Sequence, residues 1–287
     1  MWINQKNGYL QDWITQQWVK ATGKRITDLK QHWLSSPIGD TDAIGAKFMD
    51  RLVKESKLEV VKNAAQTGLV ESINDWALTE EEEQLLNPMI IHFYEHTVDY
   101  HFEIWSNWCG AFRPFGKMLS VIFSKRLQQL NLPLNPLDAA KGIESSIIKL
   151  IEKDSGKTKH TIWYRKLKAT DHVIYSGVYD TAFAPNAERK CMKVSFPLPN
   201  GSATVVMRII VLKEGSLLLQ SDGKKFGDPG FYFTLINGKQ KHWARFVKSM
   251  HEYIKVYVDS EGQLRADHNL YFYRLPFLQL HYKMKVK

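Results

Sequence analysis

Two hydrophobic periods divide the chain. Residues 9–22 place Leu10, Trp13, Ile14, Trp18 and Val19 at helical spacing and stop before Gly23, which predicts a helix. Asp28 is a candidate cap for a short helix through Leu34, ended by Ser35-Ser36-Pro37, and residues 41–66 read as a longer helix carrying Phe48, Leu52 and Leu58. Thr79 followed by Glu80, Glu81 and Glu82 has the form of a helix start, a hydroxyl cap with acids facing the positive end of the dipole. Asn87-Pro88 then opens an apolar helix expected over 88–108. A further amphipathic helix is expected from Phe115 to Leu130, and a last short one from Pro136 to Ile151. The apolar stripe at Phe115, Met118, Ile122 and Leu127 could lie on a membrane, although such stripes more often pack in a core.

From residue 160 the period becomes two. Leu278, Leu280, Tyr282, Met284 and Val286 alternate with Gln279, His281, Lys283 and Lys285, and Ile254, Val256 and Val258 alternate with Tyr253, Lys255 and Tyr257. Turn residues punctuate the pattern at Pro199-Asn200-Gly201-Ser202, Lys213-Glu214-Gly215, Asn237-Gly238 and Asp259-Ser260-Glu261-Gly262. Short connections of this kind give an antiparallel meander of about nine or ten strands. The expected fold class is α+β: a helical region over 1–155, then an antiparallel β domain over 156–287, curled into a half-barrel or barrel to hide its edges.

Charge follows the same division. Residues 1–155 carry 17 Lys+Arg against 20 Asp+Glu, a balance of −3, and residues 156–287 carry 22 against 10, a balance of +12, so the excess of positive charge lies in the second half. An anionic partner or a lysine-rich solvated face would each account for this. Nucleic acid is not favoured, because the basic residues are scattered along strands and no compact nucleic-acid signature is present. No run of eighteen apolar residues exists, so no transmembrane segment is expected. The start lacks a basic then apolar leader, and Cys109 and Cys191 are too few for a disulfide framework; both point to a cytoplasmic protein.

The sharpest chemical motif is His92-Phe93-Tyr94-Glu95-His96. This H-x-x-E-H spacing is that of inverted zinc peptidases, in which His92 and His96 would grip the metal and Glu95 would activate water. On a continuous helix, Asp99 and Glu103 would extend the same stripe. Against it stand the shortness of the motif, the lack of an identifiable downstream glutamate ligand, and the plain alternative of a solvated helix face. No catalytic residue and no cofactor is assigned. In the β half, Arg208 lies within Val205-Val206-Met207-Arg208-Ile209-Ile210, and His268 and Tyr282 alternate with apolar residues. An arginine there either faces outward or turns inward toward an anion. Turned inward, Arg208 with His268 and Tyr282 would give an aromatic-lined pocket one cationic anchor.

Phe112-Arg113-Pro114-Phe115-Gly116 with the following Ser124–Asn131 stretch, and Phe196-Pro197-Leu198-Pro199-Asn200-Gly201, resemble a group of uncharacterised bacterial proteins of similar length. The resemblance covers most of residues 80–287 and implies a bacterial protein with no assigned activity. The leading functional expectation is non-catalytic binding of a small apolar or amphipathic, possibly anionic, ligand in the β domain. A metal-dependent hydrolase using His92, Glu95 and His96 is the second, and a protein-interaction module the third. Oligomeric state is not legible.

Overall fold

The alternating segments after residue 156 pair with one another in chain order. A computed structural model describes residues 2–4, 8–27, 32–41, 44–45, 47–110, 112, 114, 143–168, 171, 173–238 and 241–287. The first elements are β1 (Trp2–Asn4), β2 (Gly8–Tyr9), α1 (Leu10–Thr22), β3 (Lys24–Ile26), α2 (Lys47–Ser56) and β4 (Leu58–Lys62). A 3-10 turn at Ile73–Trp76, α3 (Glu80–Leu85), α4 (Pro88–Glu95) and β5 (Tyr100–Trp108) follow. Then come β6 (Ile143–Glu152), β7 (Thr158–Leu167), β8 (Val173–Ala182), β9 (Cys191–Leu198), β10 (Gly201–Val211) and β11 (Leu217–Ser221). The last are β12 (Phe231–Ile236), β13 (His242–Phe246), β14 (Met250–Val258), β15 (Leu264–Phe272) and β16 (Leu275–Val286).

Fourteen strands form one antiparallel sheet in the order β4-β6-β7-β8-β9-β10-β11-β14-β15-β16-β5. At β10 the sheet forks. Gly201–Val205 pair with β12, which leads on to β13 and β3, whereas Arg208–Val211 pair with β11. No ladder joins β4 to β5 among the described residues, so the sheet is open. The turn between β9 and β10 places Pro199-Asn200 between the paired Leu198 and Gly201. Asn200, with φ +60°, takes the left-handed position. Gly201 serves a different need: a Cβ there would lie 2.0 Å from the Thr234 carbonyl oxygen, so only glycine lets β12 pair this closely.

One face of the sheet encloses the main core, including Ile147, Trp163, Val205, Met207, Leu219 and Leu280. The segment from Leu69 to Tyr94 packs into that core through Ile73, Trp76, Leu86, Ile90 and Phe93 and covers one end of it. The other face is covered twice. Phe48 and Met49 of α2 pack on Ile148, Ile162 and Val178, and Leu34 packs with Cys191, Val206, Tyr232 and Ala244.

Several helical expectations are corrected. The 41–66 segment is helical only over Lys47–Ser56, and 58–62 is strand β4. The expected 88–108 helix ends at Glu95, because Thr97 turns its hydroxyl back to the Phe93 carbonyl (2.6 Å) and accepts the Leu69 N–H. Residues 100–108 then alternate buried and exposed as β5. Ile143–Ile151, expected as helix, lies in β6, and both β5 and β6 join the sheet, which therefore runs across the boundary expected at residue 155. The expected caps and helices at Asp28, Phe115–Leu130 and 136–142 lie outside the described residues. The helix starts are as expected at two places. Thr79 and Glu82 form a reciprocal capping box, and Asn87 Oδ1 accepts the Met89 N–H ahead of Pro88.

Half-buried His160 of β7 sits across from Leu150, and its loss of solvent pushes its pKa down to about 4 from 6.5, with Asp180 opposing weakly. The folded protein thus carries a neutral imidazole that the unfolded chain would protonate. Stability is unaffected above pH 6.5 and falls as pH drops from 6.5 toward 4. A His160→Gln variant is expected to lose about 1–3 kcal/mol less than the parent over that window, measured by urea denaturation at each pH. Equal losses in both proteins would refute it.

Candidate functional site

The inner face of the sheet surrounds a cavity of about 570 Å³ with an overwhelmingly apolar lining. Strands β5, β7–β12 and β14–β16 all contribute to its wall, Phe93 and Tyr94 of α4 reach it from the covered end, and Thr15 and Trp18 of α1 border it elsewhere. This size lies in the ordinary range for small-molecule sites.

Arg165 on β7 is the exceptional residue in that wall. Alternation along β7 sends Trp163, Arg165 and Leu167 to the inner face and Ile162 and Tyr164 to the outer. Arg165 is only 3% exposed, and its Nε and Nη1 are buried without a hydrogen-bond partner. Its guanidinium carbon lies 4.0 Å from the ring centres of both Trp163 and Tyr175, and 5.4 Å from that of Tyr282. Trp163 is held by its indole N–H donating to Ser145 Oγ at 2.7 Å. The arginine is therefore stacked in an aromatic clamp, and no carboxylate pairs with it among the described residues.

A second polar group sits in the same wall. His268 Nε2 lies 3.1 Å from Glu252 Oε2, and the backbone N–H of Glu252 donates to Ser221 Oγ at 3.0 Å, so the imidazole meets the carboxylate while the main chain of Glu252 is anchored to β11. Burial raises the pKa of Tyr179, with Arg165 drawing it down and Tyr282 and Glu252 pushing it up. The Tyr179 hydroxyl is thus within electrostatic reach of all three. The described lining contains no serine or cysteine. Chemically the site offers donors for an anion, a hydrogen-bonding Glu252–His268 pair and an apolar body.

Of the three residues that the sequence singled out for a pocket, His268 and Tyr282 line the cavity and Arg208 does not. Val205 and Met207 face inward, so Arg208 points to the opposite face, 43% exposed and ion-paired with Asp222. Arg165 has the place expected of Arg208. The sequence signal that could have found it is its period-two spacing with Trp163 and Leu167.

Of the expected stripe, His92 and His96 lie side by side with ring centres 4.7 Å apart and His92 Nε2 is 3.9 Å from Asp99 Oδ2, but Glu103 is not among them. Glu95 Oε1 accepts the Ile73 N–H at 2.8 Å and ties α4 to the 3-10 turn. His92 Nδ1 lies 3.0 Å from the Tyr100 hydroxyl, and Glu103, on β5 rather than on a helix, pairs with Lys285 at 2.7 Å. Among the described residues no three histidine, cysteine or acidic side chains converge as metal donors. Cys191 is buried on the outer face, where loss of solvent pushes its thiol up to about 11.

No family model matches the chain, and no solved structure matches it. It is 26% identical over 248 residues to a Bacillus subtilis (strain 168) protein described as uncharacterized membrane protein YndJ, an alignment that takes in 84% of this chain. The chain spans 41% of the length of that relative. The likeness is thus to an uncharacterised bacterial protein, as the sequence motifs implied. Against the expected cytoplasmic placement stands the description of that relative as a membrane protein. Among the described residues no helix is long and apolar enough to cross a membrane.

Proposed function

We propose that this chain binds a small amphipathic acid without catalysis, its apolar body inside the sheet and its anionic head on Arg165. The observation that carries this reading is the pair of buried guanidinium nitrogens without partners in an otherwise apolar cavity. A desolvated charge left unpaired costs several kcal/mol, and an incoming carboxylate or phosphate removes that cost while accepting from the guanidinium fork. Glu252, His268 and Tyr282 are the groups that would meet a second polar atom on the ligand, such as a hydroxyl. We read the sheet as a barrel left unclosed between β5 and β6. Ten strands share one cavity wall, and Cα atoms of β5 and β6 come within 8 Å of each other. The relative's description as a membrane protein supports a membrane as the source of the ligand.

The test is a displacement titration with two probes of equal chain length, one ending in a carboxylate and one in an alcohol. The acid is expected to bind at least about tenfold more tightly, since a charge-assisted hydrogen bond contributes roughly 1.5–3 kcal/mol. Equal affinity would remove the anionic head from the proposal, and no binding of either probe would leave the interaction-module reading in its place.

A further inference from the structure

α1 is inside out. Its buried residues are Asp12, Gln16 and Val19, whereas Leu10, Trp13, Ile14 and Trp18 are 39–55% exposed. A helix on a globular protein ordinarily turns its apolar stripe inward. Here the inward polar residues are used: Asp12 Oδ2 accepts the Tyr9 N–H, and Gln16 donates to the Pro199 carbonyl in the β9–β10 turn. Of the outward apolar residues, Trp18 stands edge-on to Phe233 and borders the cavity, whereas Leu10, Trp13 and Ile14 have no such structural use among the described residues.

Among the described residues of α1, β3 and β13 the charge beside the stripe is basic. Lys20 on α1, Arg25 on β3 and Arg245 on β13 lie on the side of the β3–β13 ribbon that meets α1, Lys24 turns to the other side over the Phe226 ring, and Asp12, buried, is the sole acid of the three elements. Arg245 lies 5.7 Å over the Trp18 ring. Two tryptophans beside lysine and arginine on an apolar helical face are the composition of an interfacial helix on an anionic bilayer.

Position adds an independent point. Strand register carries the tip of the β15–β16 hairpin to the same end of the sheet as α1: Ser221 of β11 heads toward the Gly201 end of β10, Glu252 pairs with Ser221, and Met250 pairs with Phe272. That tip exposes Phe272, Tyr273 and Leu275 around the exposed Arg274. This end also borders the cavity, through Thr15 and Trp18 on one side and Met250 and Phe277 on the other. A second copy of the chain would have to bring two such cationic patches together, which like-charge repulsion opposes.

We infer that α1, helped by the β15–β16 tip, docks this end of the protein on an anionic phospholipid surface, with the cavity beside the contact. The inference stands on the exposed faces and their charge and does not need the cavity to be filled. The test is flotation of the 287-residue chain with vesicles of phosphatidylcholine mixed with phosphatidylglycerol, against phosphatidylcholine alone. The protein is expected to float with the mixed vesicles, to be released by high salt, and to be monomeric without vesicles. Trp13→Glu with Ile14→Glu, both exposed and therefore compatible with folding, should weaken partition by roughly tenfold or more. Phe183→Glu, as exposed as Ile14 but at the far end of β8, should leave it unchanged. No flotation with either vesicle, equal loss in both variants, or a dimer that only the α1 variant abolishes would each overturn the inference. Failure of the carboxylate probe to bind while flotation persists would count against the cavity reading alone.

Discussion

Arg165→Met is expected to abolish selective capture of an acidic amphiphile and to leave the folded protein as stable as its parent or more so. The two halves of this result have one cause. Arg165 is almost wholly buried with two nitrogens unpartnered among the described residues, so its burial carries a desolvation cost that stacking on Trp163 and Tyr175 only partly offsets. Methionine is similar in length, packs well against aromatic rings and carries no charge. Replacing buried charged groups by apolar ones of similar volume stabilises by about 1–4 kcal/mol in favourable cases. Urea denaturation should therefore give a midpoint no lower than the parent's, while the affinity for the carboxylate probe falls to that for the alcohol, a loss of about tenfold or more. Arg165→Lys keeps the charge but loses the planar fork, and should recover part of the affinity. A variant destabilised by more than about 2 kcal/mol would show that the arginine is there to hold the wall together, and the ligand reading would fall.

Trp76→Ala is expected to cost about 3–5 kcal/mol, the range for deleting a fully buried aromatic side chain. Trp76 has no solvent exposure and stands edge-on to Tyr94 with ring centres 4.9 Å apart. It closes the 3-10 turn whose first N–H groups are held by Ser72 Oγ and by Glu95, so the cavity left behind would lie between the turn, α4 and the inner face of the sheet. Its indole N–H has no partner, so Trp76→Phe forfeits no hydrogen bond and should lose only a fraction of that energy. A denaturation midpoint shift with an unchanged slope would be the signature. A loss under about 1 kcal/mol would mean that this end of the molecule relaxes freely into the gap.

Strands after residue 156 were legible because turn residues bound them and several, β15 and β16 above all, keep a period of two. What misled lies between 58 and 152. β5 has a full alternation from Tyr100 to Asn107, but it follows α4 without a glycine or proline to mark the break. The break is made by a threonine hydroxyl that returns to the carbonyl four residues back and accepts from Leu69, 28 residues away, and by a carboxylate bond to a residue 22 positions away; the last two contacts are not local in sequence. β6 is apolar on both faces because α2 covers one and the cavity core lies against the other, and such a run carries no readable period. The same double covering explains the choice of Arg208 over Arg165. Both faces of β10 are apolar near Val206 and Met207, so apolar flanks did not tell which face was inside. His268 and Tyr282 were found because β15 and β16 keep a cleaner alternation.

The pairing of β5 with β16 has a consequence for how the chain reaches this structure. Lys285 bonds to Glu103, a partner 182 residues earlier, and the whole ladder from Tyr100 to Trp108 finds its only strand neighbour, among the described residues, in β16. Closing so long a loop carries a large entropy cost before any contact repays it. During synthesis β5 emerges early and waits with both edges open, its Phe102 and Ile104 without their final cover. Its outward face bears His101, Glu103, Trp105 and Asn107, and the glutamate at its centre is the charge that keeps a waiting edge from pairing with the wrong strand. Slow assembly is thus written into the topology, and the arrival of β16 is the step on which it depends.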